Sequence, residues 1–234
     1  MSDPTLLMLF PTTIFAEVLD DHEDYDRTIG ENLDPYIFQN RNEVMTGEIL
    51  GKISMHHDPK LSDFYSTVAV KVRDYLSRMG VRDELFEIYV TKSWLSVIDT
   101  DDYHMRPHSH TVSDISFVYY VEVPEDADVI SFKHPHEVTD NVFNWYMYSK
   151  DDVDKGFLRE YTPSNIRSFF IQPKQGLLLL FPGQLPHGTE PNQTASGPIK
   201  ERRLAVSGDI SLHLRGDLLK YETGRIALDH MRKF

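Results

Sequence analysis

The chain has 234 residues, of which 40% are hydrophobic and 26% charged, and its formal net charge at pH 7 is −13. A chain of this length and composition can form a sizeable core without a metal or disulfide for stability. The absence of cysteine excludes disulfides, thiolate metal sites and cysteine nucleophiles, and the acidic balance disfavours a nucleic-acid partner.

The N-terminal part of the sequence predicts a strand followed by helical segments. Residues 6–15, LLMLFPTTIF, are predicted to form the first strand, and the acidic stretch DDHEDYD after it a solvated helix or loop. From about Pro59 to Met79, apolar residues recur at the i, i+3, i+4, i+7 spacing of one buried helix face. Asp58 is a suitable N-cap and Gly80 a suitable stop, so we expect a scaffold helix here.

From about residue 85 the sequence is rich in strand patterns. Runs of β-branched and aromatic residues separated by turn residues are ISFVYYVEV, DVISFKH, FFIQPKQGLLLLFPG and RRLAVSGDISLHL. A long helix followed by many short strands predicts a mainly β protein, a jelly roll or barrel backed by one or more N-terminal helices. The polar stretch 137–168 interrupts the strands and carries an aromatic cluster, Phe143, Trp145, Tyr146 and Tyr148, so it is either a substrate lid or an ordinary insertion.

No composition change or linker divides the chain, so we expect a single domain over residues 1–234. Within it, residues 1–84 are predicted to form a strand and supporting helices, 85–215 the β core with the insertion 137–168, and 216–234 a C-terminal tail. The sequence has neither a signal-peptide pattern nor an apolar run long enough for a membrane span. We therefore expect a cytoplasmic protein with no membrane partner, and a homodimer is compatible with the sequence.

His108 and His110 stand out among the 11 histidines because they lie two residues apart just before the densest strand. In an extended chain, residues i and i+2 point to the same face, so the two imidazoles project side by side. His187 follows the buried run LLLLFP and a Pro/Gly turn, where it could complete a metal site. Arg203 begins a later strand, and a buried arginine there would suit an anion such as a carboxylate.

These features resemble the iron(II)/2-oxoglutarate oxygenase superfamily, and in particular a bacterial and phage branch of it. The matching motifs span most of the chain in one order: LFPT at 9–12, Trp94, HSH at 108–110, SFVYYVEVP at 116–124, FKHP at 132–135, PKQGLLLLFP at 173–182, PHGTEPN at 186–192 and Arg203-Leu204. The resemblance implies a double-stranded β-helix, the jelly-roll or cupin-like fold. It also implies iron(II) as cofactor and 2-oxoglutarate as cosubstrate.

By the same resemblance, His108 and His187 take the two histidine-ligand positions and Arg203 the position that binds the far carboxylate of 2-oxoglutarate. Arg202 could exchange roles with Arg203 if the register differs by one residue. Tyr119 or Tyr120, from the strand after HSH, could add a phenol to the cosubstrate pocket.

The third ligand departs from the family's H-x-[DE] pattern, since His110 stands where a carboxylate is usual. We expect His110 to be the ligand. Two alternatives remain open: Asp114 supplies a carboxylate from the same loop, or His110 stands behind the metal while a water molecule takes the third position. Three neutral histidines leave the iron one unit more positive than a carboxylate triad would. Because histidine binds metal in its neutral form, we expect activity to fall as pH drops through the titration of the ligands.

The function implied is an oxygenase that hydroxylates a C–H bond of an unidentified substrate, consuming O2 and 2-oxoglutarate and releasing succinate and CO2. Two alternatives remain at this point: a cupin-type enzyme with three histidine ligands that does not use 2-oxoglutarate, and a non-catalytic β-sandwich acting as a binding or virion module. Replacement of Arg203 distinguishes the first alternative, because a cupin-type enzyme would not need that residue.

Overall fold

The structure is a computed structural model that describes residues 11–32, 45–46, 55–98, 104–125, 127–135, 159–162, 165–191, 203–216 and 232–233. The aromatic cluster at 143–148 and Arg202 lie outside these residues, so the lid hypothesis and the Arg202 alternative stay predictions. The division of the chain into a single domain with the boundaries given above also stays a prediction. In the described residues, neither α-helix is long and apolar enough to cross a bilayer.

In the part of the chain that the structure describes, two α-helices precede the long strands of the β core. Helix α1 spans His22–Glu31 and helix α2 spans Ser62–Arg78, with short 3-10 turns at Met55–His57, Pro59–Leu61 and Asp83–Leu85. The long helix expected from the apolar spacing is confirmed, but its start is more complex than predicted. The Asp58 side chain accepts a hydrogen bond from the Lys60 backbone N–H, so it caps the 3-10 turn that leads into α2 rather than α2 itself. Gly80, with a φ of 78°, follows the end of α2.

Ten strands of the described residues form two antiparallel sheets. They are β1 Phe15–Val18, β2 Met45–Thr46, β3 Phe86–Ile98, β4 Ile115–Glu122, β5 Val129–Lys133, β6 Ser168–Ile171, β7 Leu177–Pro182, β8 His187–Glu190, β9 Arg203–Leu214 and β10 Arg232–Lys233. The larger sheet has the order β1-β7-β4-β9-β3-β10, with β2 also paired to β3, and the smaller sheet has the order β6-β5-β8. This is the helix-backed jelly roll that the strand pattern predicts.

The first strand lies later than predicted. Residues 6–10 are outside the described residues, and 11–14 are not in a strand; β1 begins only at Phe15, where it pairs with β7. Pro11 has no backbone N–H to give to a sheet. The carbonyl of Thr13 instead accepts a hydrogen bond from the Tyr75 hydroxyl of α2. This stretch therefore bonds to the helix and not to the sheet.

The larger sheet is buried on both faces, which determines where the site can lie. On β4, Phe117, Tyr119 and Val121 pack in the core shared with the helices, whereas Tyr120 packs in a second core. That second core also contains Phe132 of the smaller sheet, whose ring centre lies 5.0 Å from that of Phe181 on β7. Each fully buried side chain of this size stabilises the fold by about 1.5–3 kcal/mol. The inner face of the larger sheet thus looks toward the smaller sheet, and the space between them holds the site.

Candidate metal centre

Three histidines converge between the sheets. His108, His110 and His187 each offer one ring nitrogen, and these atoms lie within 4.8 Å of one another. The ring centres are 4.5 Å apart for His108 and His187, and 5.1 Å apart for each of the other two pairs. Of the described residues, this is the one group of histidine and acidic side chains with such spacing. The structure thus brings together the three residues that the sequence put forward as metal ligands.

Backbone pairing fixes where these histidines stand. His108 and His187 form an antiparallel bridge in which each backbone N–H donates to the carbonyl of the other residue at 2.9 Å. The His110 N–H donates to the Gly183 carbonyl at 2.7 Å, in the turn between β7 and β8. The loop that carries H-x-H is therefore fastened to the strand end that carries the third histidine.

The side-chain hydrogen bonds give all three rings the same orientation. The Nδ1 atom of His108 lies 3.0 Å from the Arg106 carbonyl, and that of His187 lies 2.9 Å from the Leu185 carbonyl. Because a carbonyl can only accept, Nδ1 carries the proton in both rings and Nε2 keeps its lone pair. The Nδ1 atom of His110 lies 2.5 Å from a carboxylate oxygen of Asp209, which orients that ring in the same way. Three Nε2 lone pairs with their Nδ1 atoms already bonded are a donor set that fits a divalent transition metal.

Burial favours the metal-binding form of two of the rings. It lowers the pKa of His108 below its ordinary value and that of His187 to about 4, more than the backbone carbonyl at each Nδ1 raises it. The neighbouring histidines of the cluster lower both pKa values further. The two rings are therefore neutral near pH 7, as a metal ligand must be.

Asp209 is the site residue that our sequence analysis missed. It lies on β9 with 1% of its surface exposed, and its Oδ1 atom accepts hydrogen bonds from His110 Nδ1 and from the Ser116 hydroxyl at 2.8 Å. Burial raises its pKa, but the hydrogen bond and charge interaction with His110, the bond from Ser116 and the charge of Lys92 together hold the pKa below the usual range. A signal was present in the sequence, since Asp209 has the same strand parity as Arg203 and so shares its face of β9.

Arg203 and Tyr120 lie in the same cavity as the three histidines. Arg203 is buried, with one guanidinium hydrogen bond, at 2.8 Å, to the backbone carbonyl of Asp128. The Tyr120 hydroxyl is also buried and makes no hydrogen bond to the described residues. Among the remaining lining residues are Trp94, Met105, Val118, Ile130 and Phe181. A mainly apolar cavity with one cation and one unpaired hydroxyl suits a small anionic ligand.

Two of the residues proposed from the sequence lie elsewhere. The hydroxyl of Tyr119 donates to Asp26 of α1 at 2.7 Å, and burial raises its pKa further above the ordinary value. Tyr119 therefore faces the helices, and the expectation that it lines the cosubstrate pocket is not met. The Asp114 carboxylate accepts hydrogen bonds from the Leu212 N–H and the Ser211 hydroxyl and is not part of the histidine group. It thus ties its loop to β9, and it is His110, not Asp114, that lies in the group of possible metal ligands.

Comparison with known proteins gives one family and a shared fold. The family model described as 2OG-Fe(II) oxygenase matches residues 92–208, half of the chain, a range that includes His108, His110, His187 and Arg203. The structure is similar to that of SnoK, a non-heme α-ketoglutarate-dependent carbocyclase from nogalamycin biosynthesis, with a TM-score of 0.52 and 11% identity, covering 95% of this chain and 92% of that chain.

A second solved structure with the same architecture is that of SnoN, a non-heme α-ketoglutarate-dependent epimerase from nogalamycin biosynthesis. Its TM-score is 0.50 at 12% identity, with 95% of this chain and 89% of that chain covered. Among curated protein sequences, none matches the chain. At these identities the two structures support the fold alone, and that fold is the double-stranded β-helix that the motifs implied.

Proposed function

The chain belongs to the 2OG-Fe(II) oxygenase family, and we propose that His108, His110 and His187 hold its iron(II) while Arg203 and Tyr120 hold 2-oxoglutarate. The protein is thus an iron(II)- and 2-oxoglutarate-dependent dioxygenase, with 2-oxoglutarate and O2 as cosubstrates. This assignment replaces both the cupin-type enzyme without 2-oxoglutarate and the non-catalytic module. The bacterial or phage branch, the cytoplasmic location, the homodimer and the absence of a nucleic-acid partner stay predictions from the sequence.

The observation that carries the proposal is the convergence of three histidine nitrogens within 4.8 Å in the cavity that also contains Arg203. Bound iron(II) and 2-oxoglutarate supply the oxidation chemistry, in which O2 converts 2-oxoglutarate to succinate and CO2 and places a hydroxyl group on a substrate carbon. Three protein ligands leave positions open for cosubstrate and oxygen. The reaction class follows from the family, and we propose C–H hydroxylation as the outcome for a substrate still to be identified.

The side chains of the cavity have separate tasks in this proposal. Arg203 offers a guanidinium whose remaining N–H groups make no hydrogen bond to the described residues, so it can bind a carboxylate. Tyr120 can donate its unpaired hydroxyl to the same ligand. Trp94 stacks on His110, with ring centres 5.6 Å apart and an angle of 29° between the rings. It restrains the His110 ring and, with Phe181 and Ile130, helps to exclude water.

The experiment is an anaerobic titration of the metal-free protein with iron(II) and then with 2-oxoglutarate, followed in the visible region. We expect a weak charge-transfer band upon addition of 2-oxoglutarate, its loss in His187→Ala, and its retention in His22→Ala. His22 is the matched control because it lies on α1, bonded to Asp26, outside the cavity. No band in the wild-type protein would refute cosubstrate binding at this centre, and a band that survives His187→Ala would refute the ligand assignment.

A further inference from the structure

The three histidines of the metal centre differ in what their Nδ1 atoms contact. His108 and His187 each donate to a backbone carbonyl, which carries no net charge. His110 alone donates to a carboxylate, that of Asp209 on β9. A histidine bonded in this way has a more basic second nitrogen and so is a stronger ligand than one bonded to a carbonyl. The site is therefore asymmetric, although its three ligands are of one type.

Asp209 sits where a carboxylate is costly. It is 1% exposed, and its Oδ2 atom makes no hydrogen bond to the described residues. Among the described residues, the cation close to it is Lys92, whose Nζ atom lies 3.4 Å from Oδ2. Burying an ionised carboxylate costs free energy, and the contacts with His110, Ser116 and Lys92 offset that cost. These contacts hold the carboxylate against a metal-ligand candidate.

The neighbours of Asp209 hold the pair rigid. The Ser116 hydroxyl on β4 donates to the same Oδ1 atom that His110 contacts, which fixes the carboxylate from the adjacent strand. Trp94 on β3 stacks on the His110 ring. Three neighbouring strands thus determine both the position of the carboxylate and the plane of the imidazole, as a ligand that must not rotate requires.

Charge gives the second reason for a carboxylate here. Iron(II) sites of the two-histidine, one-carboxylate type receive one negative charge from the protein. Three neutral histidines provide none, and among the described residues Asp209 is the acidic side chain that forms a hydrogen bond with one of the three. Asp209 therefore supplies, next to His110, the negative charge that three neutral histidines do not provide.

We infer that Asp209 is a positioning residue for the metal centre, which holds His110 with Nε2 free to bind metal and returns to the three-histidine site the negative charge of a carboxylate ligand. This inference rests on the proposed function, because it assumes that His110 binds the metal. It assigns Asp209 no contact with metal, cosubstrate or substrate. The match to the family model ends at residue 208, so this role comes from the contacts of this chain alone.

The test compares Asp209→Asn with wild type in titrations of the metal-free protein with cobalt(II) alone. Asparagine keeps the shape and can still accept the His110 hydrogen bond, but it removes the charge. We expect cobalt(II) to bind about 10- to 100-fold more weakly, the usual effect of losing such a partner. The control is Asp128→Asn, since Asp128 is an equally buried carboxylate bonded to Nδ1 of His104, outside the three-histidine group. Asp128→Asn should keep the wild-type cobalt(II) affinity.

A second measurement separates the effect of the lost charge from the effect of damage to the fold. With saturating iron(II) and 2-oxoglutarate, we expect the charge-transfer band of Asp209→Asn to lie at higher energy than in wild type, since a more positive iron gives up electron density less readily. Cobalt(II) affinity within about twofold of wild type would overturn the inference. A band at the wild-type energy would also overturn it. A loss of affinity matched by Asp128→Asn would do the same, because it would reflect general damage to the fold.

A third measurement needs no variant. Nitrogen-15 NMR of the histidines in the metal-free wild-type protein should show His110 as the Nδ1–H tautomer, the less populated neutral form of a histidine side chain in water. An Nε2–H tautomer at His110 would overturn the inference even if Asp209→Asn fails to fold. These measurements also test the role of Asp209 separately from the proposed function. Absence of the 2-oxoglutarate band in wild type, with Asp209-dependent cobalt(II) binding intact, would refute cosubstrate use and leave the role of Asp209 standing.

Discussion

The guanidinium carbon of Arg203 lies 5.6 Å from the centre of the Tyr120 ring, so the cation and the phenol of the cavity are neighbours on adjacent strands. Arg203 and Asp209 lie in one row of side chains on β9, about 20 Å apart along the strand by its rise per residue. In the proposed function, the cation of this row binds the cosubstrate and its anion lies behind a metal ligand.

Arg203→Ala should weaken 2-oxoglutarate binding while leaving metal affinity near wild type. A hydrogen bond to a charged group contributes about 1.5–3 kcal/mol, which corresponds to an increase in Kd of about 10- to 100-fold. Arg203→Lys should recover little, since an ammonium cannot form the paired contacts of a guanidinium. Titration of the anaerobic iron(II) protein with 2-oxoglutarate measures this. Unchanged 2-oxoglutarate affinity in Arg203→Ala would show that another residue binds the far carboxylate.

Tyr119→Phe and Tyr120→Phe should have opposite effects. Tyr119→Phe leaves the Asp26 carboxylate without one donor, so we expect a loss of about 1–3 kcal/mol in stability and a Tm lower by several degrees, with 2-oxoglutarate affinity unchanged. Tyr120→Phe removes a hydroxyl that has no partner, so its Tm should stay the same or rise, while 2-oxoglutarate binds about 3- to 10-fold more weakly. Thermal unfolding and ligand titration on both variants decide it. A larger affinity loss in Tyr119→Phe would contradict the assigned faces.

Gly188→Ala should impair metal binding without any change to a ligand. A Cβ atom at Gly188 would lie 2.5 Å from the Met105 carbonyl oxygen and 3.1 Å from backbone atoms of Arg106 and Pro107. The chain leading to His108 would have to move away from β8, so we expect at least a tenfold loss of cobalt(II) affinity. The matched control is Gly30→Ala on α1, where a Cβ meets nothing within 4 Å, and this variant should be neutral or stabilised by about 0.5–1 kcal/mol. Equal cobalt(II) affinities in the two variants would contradict the close approach at Gly188.

The metal-free protein should lose stability as the pH falls from about 6.5 toward 4. The folded pKa of His187 is lowered to about 4, chiefly by burial, whereas an unfolded histidine titrates near about 6.5. Between these values the unfolded chain binds more protons, so the free energy of unfolding decreases as pH decreases and levels off above about 6.5. Urea unfolding of wild type and His187→Gln at several pH values measures the difference. An equal pH slope in both proteins would show that His187 does not titrate in this way.

The lowered pKa values of these histidines also change the pH at which metal binding should be lost. The sequence alone placed this loss in the ordinary range of histidine titration. Burial lowers the pKa of His108 below its ordinary value and that of His187 to about 4, so His187 stays in the ligand form well below that range. We therefore expect cobalt(II) binding to persist below pH 6 and to be lost toward pH 4. Loss of binding centred near pH 6.5 would show that these rings are more accessible to water than the structure has them.

Local rules were sufficient to put His108 and His110 on one side of the chain, because the i, i+2 relation needs no tertiary information. They did not decide between Tyr119 and Tyr120. A strand covered on both faces, as β4 is, has apolar residues on both of its sides, so its hydrophobic pattern does not show which side faces the cavity. The contact of Tyr119 with helix α1 shows which side of β4 faces the helices, and this contact joins residues that are far apart in the sequence.

Asp209 illustrates a different limit. Its parity with Arg203 was readable, but its partner His110 lies 99 residues away, and no spacing rule connects the two. From the sequence, the candidate carboxylate near the histidines is Asp114, in the loop that carries H-x-H. In the structure, the Asp114 carboxylate accepts a hydrogen bond from β9, whereas the carboxylate that contacts His110 is Asp209 of β9. Which acid serves which purpose depends on sheet order, which the sequence did not reveal.

The bridge between His108 and His187 has a consequence for biosynthesis. During translation, a chain that has emerged only through β7 already contains H-x-H, yet it lacks the strand that bears the third histidine of the group. The three histidines can therefore come together only after β8 has been synthesised and has paired with the H-x-H loop. The larger sheet also needs β9, which lies between β4 and β3 and carries Asp209. Because domains generally fold as units, the group and its buried carboxylate are expected to form in one step, after β9 has left the ribosome.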